Sequence, residues 1–260
     1  MVEESTPVRL AQNGPVAVLT LDRPRRRNPL SVTTMRAVVA ALHDEGARPG
    51  VRVIVLRAEG PAFSAGHDLS EMVDRTLDEE RAVFDVCVEM MRAVHAVPQP
   101  VIASVQGVAV AAGCQLAATC DLVVAADTAV FGTPGVKIGL FCSTPMVAVT
   151  RAIGRKRAMQ LLLTGETIDA ATAAEWGLVN LVVPAADLER RTTELASKVA
   201  DASDVTLRIG KEAFYRQIEL SEDDAYAAMS ETMATNAMTC DAQEGMAAFL
   251  AKRPPTWQGR

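Results

Sequence analysis

Two short strand-like runs, each ending in a small-residue turn that reopens as a helix, constrain this chain more than any other feature. The first is residues 51–57, alternating and rich in β-branched side chains, followed by Pro61-Ala-Phe-Ser-Ala-Gly-His-Asp-Leu69. The second is residues 101–105, followed by Gln106-Gly-Val-Ala-Val-Ala-Ala-Gly-Cys-Gln-Leu116. Small residues let a ligand or a neighbouring segment come close to the backbone. Amides at a helix start have no partner within the helix, so they can point at an oxygen that gains negative charge. Such turns also serve plain packing, so either segment alone leaves both readings open.

The rest of the chain repeats the theme. Residues 8–12 and 16–22 read as a hairpin around Asn13-Gly14. Ser31 caps a helix running to about Asp44 and stopping at Gly46. Residues 78–97 are helical, with Val83, Phe84, Cys87, Met90, Met91 and Val94 recurring at three and four, until Pro98 and Pro100 end the run. Residues 113–120 read as a helix and 122–125 as a strand. Asp169 caps a helix ending at Gly177, 179–183 is a strand and 185–200 a helix. Beyond that only helix signals remain, with Asp241-Ala-Gln-Glu244 resembling a capping box before the last helix. The fold class is therefore α/β, in strand–strand–helix units, with residues 1–195 as the core and 196–260 as a helical region. Met229, Met233, Met238 and Met246 in that region read as core or subunit-packing residues, with an acyl-chain pocket as the sharper option.

Composition removes several classes. With 260 residues, 49% hydrophobic and 22% charged, the chain can bury a large core and is neither disordered nor a disulfide-stapled scaffold. A net charge of −6 and only 4% aromatic residues give no footprint for nucleic acid. The most apolar stretch, 101–118, is broken by Ser104, Gln106, Gly107, Gly113 and Gln115, so no membrane partner is expected. Five cysteines without CxxC or Cys/His spacing argue against disulfides and a structural metal. An acidic, polar stretch from Met1 to Pro7 lacks targeting features, so a reducing, cytoplasmic setting is expected.

Taken together, the motifs resemble the crotonase superfamily, the enoyl-CoA hydratase/isomerase family. The resemblance rests on Leu21-Asp-Arg-Pro24 with Asn28-Pro-Leu30, Phe63-Ser-Ala-Gly-His-Asp-Leu69, Val101-Ile-Ala-Ser-Val-Gln-Gly107, Asp121, Phe131-Gly-Thr-Pro134, Thr164-Gly165 and Ala174-Glu-Trp-Gly-Leu178. The wording of residues 111–116 and 133–145 is similar to the enoyl-CoA hydratase domain-containing protein 3 subgroup. The resemblance implies a superhelical spiral of ββα turns with a C-terminal α-helical trimerisation region, giving a homotrimer or a hexamer of paired trimers. It implies an acyl-CoA thioester ligand, with coenzyme A as part of the substrate and no permanently bound cofactor. The thioester oxygen would sit between the backbone amides of His67 and Ala112, flanked by Ala65, Gly66, Asp68, Leu69 and Gly113. Arg25 and Arg26 would lie near the nucleotide, with Arg23 and Arg27 in the same cluster. Phe249 and Lys252 would reach a neighbouring subunit's nucleotide, and Cys142 would stand on the far wall of the pocket.

The catalytic pattern departs from the family's. Relatives use two glutamates to activate water and deliver a proton; the matching positions here are Gln115 and Gly135. Gln115 is expected to position water or substrate, but it takes no proton at neutral pH. Losing a general acid or base typically slows a reaction roughly 10²- to 10⁴-fold. Hydration is therefore expected to be weak. A malonyl-type CoA decarboxylase and a non-catalytic acyl-CoA-binding protein stand as alternatives. His67 is a candidate titratable group, against the reading that only its backbone matters. Asp68 reads first as a helix cap, Ser143 or Thr144 as a cap ahead of Pro145, Cys114 as a buried filler, and His43 and His95 as structural.

Overall fold

The computed structural model describes residues 6–260. The Asn13-Gly14 turn closes a hairpin of β1 (Val8–Asn13) and β2 (Val16–Leu21). Ser31 caps α1 (Val32–Ala47), its side chain accepting the Thr34 amide. Two strands follow, β3 (Val53–Ala58) and β4 (Ala62–Ser64), then α2 (Leu77–Ala96), opened by a capping box between Thr76 and Glu79. The next unit repeats this order with β5 (Val101–Val105), β6 (Val108–Val110) and α3 (Ala112–Thr119). A third contains β7 (Leu122–Ala126), β8 (Val130–Gly132), α4 (Pro145–Ile153) and α5 (Arg155–Thr164). The remaining elements are β9 (Thr167–Asp169), α6 (Ala170–Trp176), β10 (Leu181–Val183), α7 (Leu188–Ala200), α8 (Asp204–Gln217), α9 (Glu222–Ala237) and α10 (Cys240–Leu250).

The two strands of each unit part company. The longer ones build a six-stranded sheet in the order β1-β2-β3-β5-β7-β10, parallel except for β1. The short ones build a four-stranded sheet, β4-β6-β8-β9, with β4, β6 and β8 parallel. Period-two alternation explains how the large sheet is covered on both faces. Ile54 and Leu56 face the main core with α1 and α2, whereas Val53 and Val55 face Leu188, Ala196 and Ala200 of α7. Because each unit adds one strand to each sheet, the small sheet stacks the turns that follow β4, β6 and β8 beside one another.

A buried polar junction joins α8 to this core. Lys211 Nζ donates to the Val94 and Gln99 carbonyls at 2.8 and 2.9 Å and pairs with Asp121 at 2.8 Å. Asp121 also accepts the Val101 amide at 2.6 Å and the Tyr215 hydroxyl at 2.7 Å. His95 stacks on Tyr215 and hydrogen-bonds the Thr119 carbonyl, so its role is structural as expected. His43 is exposed on α1.

Several expectations are corrected. Gly46 does not stop α1 but lies within it, because a side chain there would meet Val97 Cγ2 at 2.8 Å; the glycine lets α1 pack closely. A boundary at residue 195 falls inside α7, which packs on the large sheet to Ala200, so the change in packing comes after Ala200. The cap of α10 is Thr239, not Asp241. Asp241 is fully buried, binding Ser203 Oγ at 2.6 Å and the Gln258 and Gly259 amides, while Glu244 clamps Arg253. Of the two packing roles expected for the methionines, the core does not take Met233, Met238 or Met246, which are exposed, and Met229 is half-buried. No helix of the described residues is long and apolar enough to cross a membrane.

Replacing Lys211 by Met is expected to lower stability by about 3 kcal/mol, since it strands the buried Asp121 carboxylate and two carbonyls. Urea denaturation checks this; an unchanged midpoint would show that the junction contributes nothing.

Candidate active site

The two small-residue turns meet. A side chain on Gly66 would lie 2.9 Å from Ala111 Cβ and 3.3 Å from the Ala112 nitrogen. One on Gly113 would overlap the Ser64 carbonyl oxygen and come within 2.8 Å of Ser64 Cβ. Glycine is therefore required at both contacts, and at Gly66 the φ of +96° requires it again. Gly113 serves this packing and lines no part of the cavity. The segment 65–67 is held from outside by the loop before α1. The Ala65 amide donates to the Arg27 carbonyl and the Leu30 amide to the Gly66 carbonyl, while the Gly66 amide goes to Ser64 Oγ. Asn28, buried with φ +50°, anchors that loop through its side-chain bonds to Glu59, Ala62 and Arg23.

What these bonds leave over is informative. Among the described residues neither the His67 amide nor the Ala112 amide donates a hydrogen bond. Ala112 is the first residue of α3, where no intrahelical acceptor exists. Its N-cap, Ala111, has φ +50° and ψ −122°, a conformation that alanine rarely adopts. The Ala111 amide is fixed to the Gly132 carbonyl of β8 at 2.9 Å. Strain of this kind, of order 1–3 kcal/mol, persists where surrounding structure enforces it.

His67 and Ala112 line one cavity of about 560 Å³, in the size range of small-molecule sites. Ala65, Asp68, Leu69, Arg26, Gly135 and Cys142 also line it, as the sequence reading expects. Six expected site residues do not, two of them Gly66 and Gly113 at the contact between the loops. Arg25 is exposed on its loop, and Gln115 lies behind the wall. Phe249 and Lys252 lie at the end of α10 and just after it, with Phe249 82% exposed. Gln115 is one turn on from Ala112, but that turn is buried against α2, where Gln115 Oε1 takes the Cys87 thiol at 3.8 Å. Burial raises that thiol to about 12, so it stays a protonated donor.

The charged groups are few. Asp68 caps the turn at Ser70, as expected of it, and forms an ion pair with Arg26 at 2.9 Å. The His67 ring packs edge-on against Phe84, and burial pushes its pKa down to about 4. Its Nε2 is buried without a partner. Gly135 cannot regain a carboxylate in this backbone: a side chain there would overlap the Leu140 carbonyl oxygen and meet Cys142 Sγ at 2.8 Å. Thr144 occupies the N-cap of α4 but makes no side-chain cap bond, with Pro145 first in the helix. Cys114 is buried, as expected.

The sequence reading passed over Phe84, Lys137, Leu140 and Phe141, which also line the cavity. Phe84 shares the apolar stripe of α2 and reads as core. The other three come from a 3₁₀ turn and loop (134–142) that carry no periodic signal.

The family description Enoyl-CoA hydratase/isomerase matches residues 11–260. The chain is 42% identical over 240 residues to the enoyl-CoA hydratase domain-containing protein 3 of Rattus norvegicus, covering 92% of this chain and 80% of that one. The human protein of that name is 42% identical over 255 residues, and its crystal structure has a TM-score of 0.94 over 96% of this chain and 100% of that one. An enoyl-CoA hydratase from Mycobacterium smegmatis gives a TM-score of 0.95 at 42% identity, over 97% of this chain and 99% of that one. The chain belongs to the enoyl-CoA hydratase/isomerase family and has the crotonase-type fold, with a C-terminal helical region. Its relatives include the enoyl-CoA hydratase domain-containing protein 3 group. One expectation is overturned: the relatives of that group from rat, mouse, frog and human are named mitochondrial, against the cytoplasmic setting. Unpaired cysteines carry no address, and residues 1–5 of the stretch read for targeting lie outside the described residues.

Two outcomes follow from this geometry. Gly66→Ala is expected to lower the melting temperature by several degrees, measured by calorimetry, because its side chain would press on Ala111 and the Ala112 amide; an unchanged melting temperature would show that the contact tolerates a side chain. The His67 ring is expected to stay neutral from pH 8 to 5, with its imidazole NMR shifts moving only as pH approaches about 4. A lowered folded pKa means the unfolded chain binds the proton first, so this histidine's contribution to stability is lost as pH falls from about 6.5 toward 4.

Proposed function

We propose that the chain acts on acyl-CoA thioesters by holding the thioester oxygen between the His67 and Ala112 amides. The observation that carries this reading is the pair of undonated amides on two touching loops that face one cavity. Amides aimed at developing negative charge in a water-poor site stabilise an enolate, typically by a few kcal/mol per donor. Arg25 and Arg26 meet the nucleotide at the mouth, and Cys142 with Gly135 forms part of the acyl wall. Gln115 serves by holding α3 against α2.

Proton transfer is the weak side of the site. Gln115 is turned away, Gly135 has no room for a carboxylate, Asp68 is spent on Arg26, and His67 is neutral. Hydration needs water activated on one carbon and a proton delivered to the next. This site is therefore a poor hydratase. The same observation favours a second reading, decarboxylation of a malonyl-type thioester. There the C–C bond to the carboxylate breaks, its electron pair becomes the enolate, carbon dioxide leaves and solvent returns one proton to carbon. That reaction needs the oxyanion donors and no general base. A chain that binds thioesters and turns over nothing is the third.

Self-association as a trimer or hexamer is supported by apolar side chains left exposed on α8–α10, among them Phe214, Met238 and Phe249. In such an assembly Phe249 and Lys252 approach a neighbour's nucleotide.

The test is a substrate panel on the purified protein. Crotonyl-CoA hydration is expected to run at least about a hundredfold below that of a two-glutamate relative. Release of carbon dioxide from malonyl- or methylmalonyl-CoA selects the second reading, and tight binding without turnover the third. Crotonyl-CoA turnover at the relative's own rate contradicts the account of the missing carboxylates.

A further inference from the structure

The cavity has an unbalanced charge. Its lining contains three charged side chains, Arg26, Asp68 and Lys137. Arg26 and Asp68 neutralise one another at 2.9 Å, and His67 is uncharged near neutral pH. Lys137 remains. Among the described residues it has no ion-pair or hydrogen-bond partner, and the chain places glutamine and glycine at the two positions where the family's carboxylates would stand.

Lys137 is exposed, yet its stem does not hang free. It belongs to the 3₁₀ turn Pro134–Ile138, two residues after Gly135. Its stem lies along Gly165, whose missing side chain would sit 3.1 Å from Lys137 Cγ and 3.2 Å from Cε. Gly165 has φ +62° as the left-handed cap of α5, so a turn that needs glycine also clears the space the stem fills. Packing fixes the stem, and Ile138, Leu140 and Phe141 give the same wall an apolar surface. A lysine ammonium that lines the cavity and has no acceptor within the chain offers a charge-assisted hydrogen bond to an anionic guest.

We infer that Lys137 is a specificity residue that receives a carboxylate on the acyl group, so that the preferred thioesters carry an acidic acyl chain. This rests on the thioester reading above and deepens it. A nucleotide phosphate offers the same chemistry. The carboxylate is favoured because Lys137 shares its wall with Gly135 and Cys142, whereas Arg25 and Arg26 lie on the loop before α1.

Calorimetric titration of the full chain with coenzyme A, butyryl-CoA and succinyl-CoA separates these cases. The two acyl groups have equal carbon number and differ in the terminal carboxylate. Wild type is expected to bind succinyl-CoA about tenfold more tightly than butyryl-CoA. Lys137→Met is expected to erase that difference by weakening succinyl-CoA, and Lys137→Arg to retain most of it. Equal weakening of all three ligands in Lys137→Met assigns the lysine to a phosphate and overturns the inference. So does a wild type that prefers butyryl-CoA. If none of the three binds wild type, the thioester reading itself has failed, a result distinct from either of these.

Discussion

The contact between the turn after β4 and the start of α3 is what the remaining structure serves. Gly66 and Gly113 bring two backbones together without side chains between them, and this places His67 and Ala112 on one cavity wall. Parallel pairing of β4 with β6, and of β6 with β8, sets the approach. Ala111 takes up the residual strain, tied to β8 by its amide. Asn28 and the loop around it fasten the outer side. The Ala65, Gly66 and Ala111 amides each have a partner, whereas those of His67 and Ala112 donate to nothing among the described residues. Pre-formed donors need no reorganisation when charge appears, which is why such an arrangement can act on a carbonyl.

Electrostatics then narrows the chemistry. Burial keeps the His67 ring uncharged near neutrality, and the Asp68 carboxylate is paired with Arg26. The carbonyl of Leu140 and the thiol of Cys142 fill the space that a side chain at residue 135 would take. The two residues with undonated amides line the cavity, and the side chains around them include few groups able to move a proton.

Much of this was legible in the sequence, for physical reasons. The long strands carry the β-branched runs of a sheet covered on both faces, and Ser31, Asp169 and the Asn13-Gly14 turn act locally, so residue type alone indicates them. The paired turns were also visible, as were a glutamine at residue 115 and a glycine at residue 135. Features decided by distant contacts were not. Gly46 looks like a terminator until Val97 is seen packed on it. Asp241 looks like part of a cap, but it buries its carboxylate against Ser203 and the chain end. Gln115 has the helical spacing of a site residue, yet α2 claims its side chain. Lys137 sits in a turn with no pattern to read, and only the fold shows which wall it joins.

The claim that two main-chain amides grip the thioester oxygen is tested most directly by difference infrared spectroscopy of a bound acyl-CoA with a ¹³C-labelled thioester carbonyl. The account predicts a carbonyl stretch well below that of the free thioester, with the shift retained when Gln115 is replaced by Ala in protein that still folds. A bound carbonyl absorbing where the free one does would contradict it.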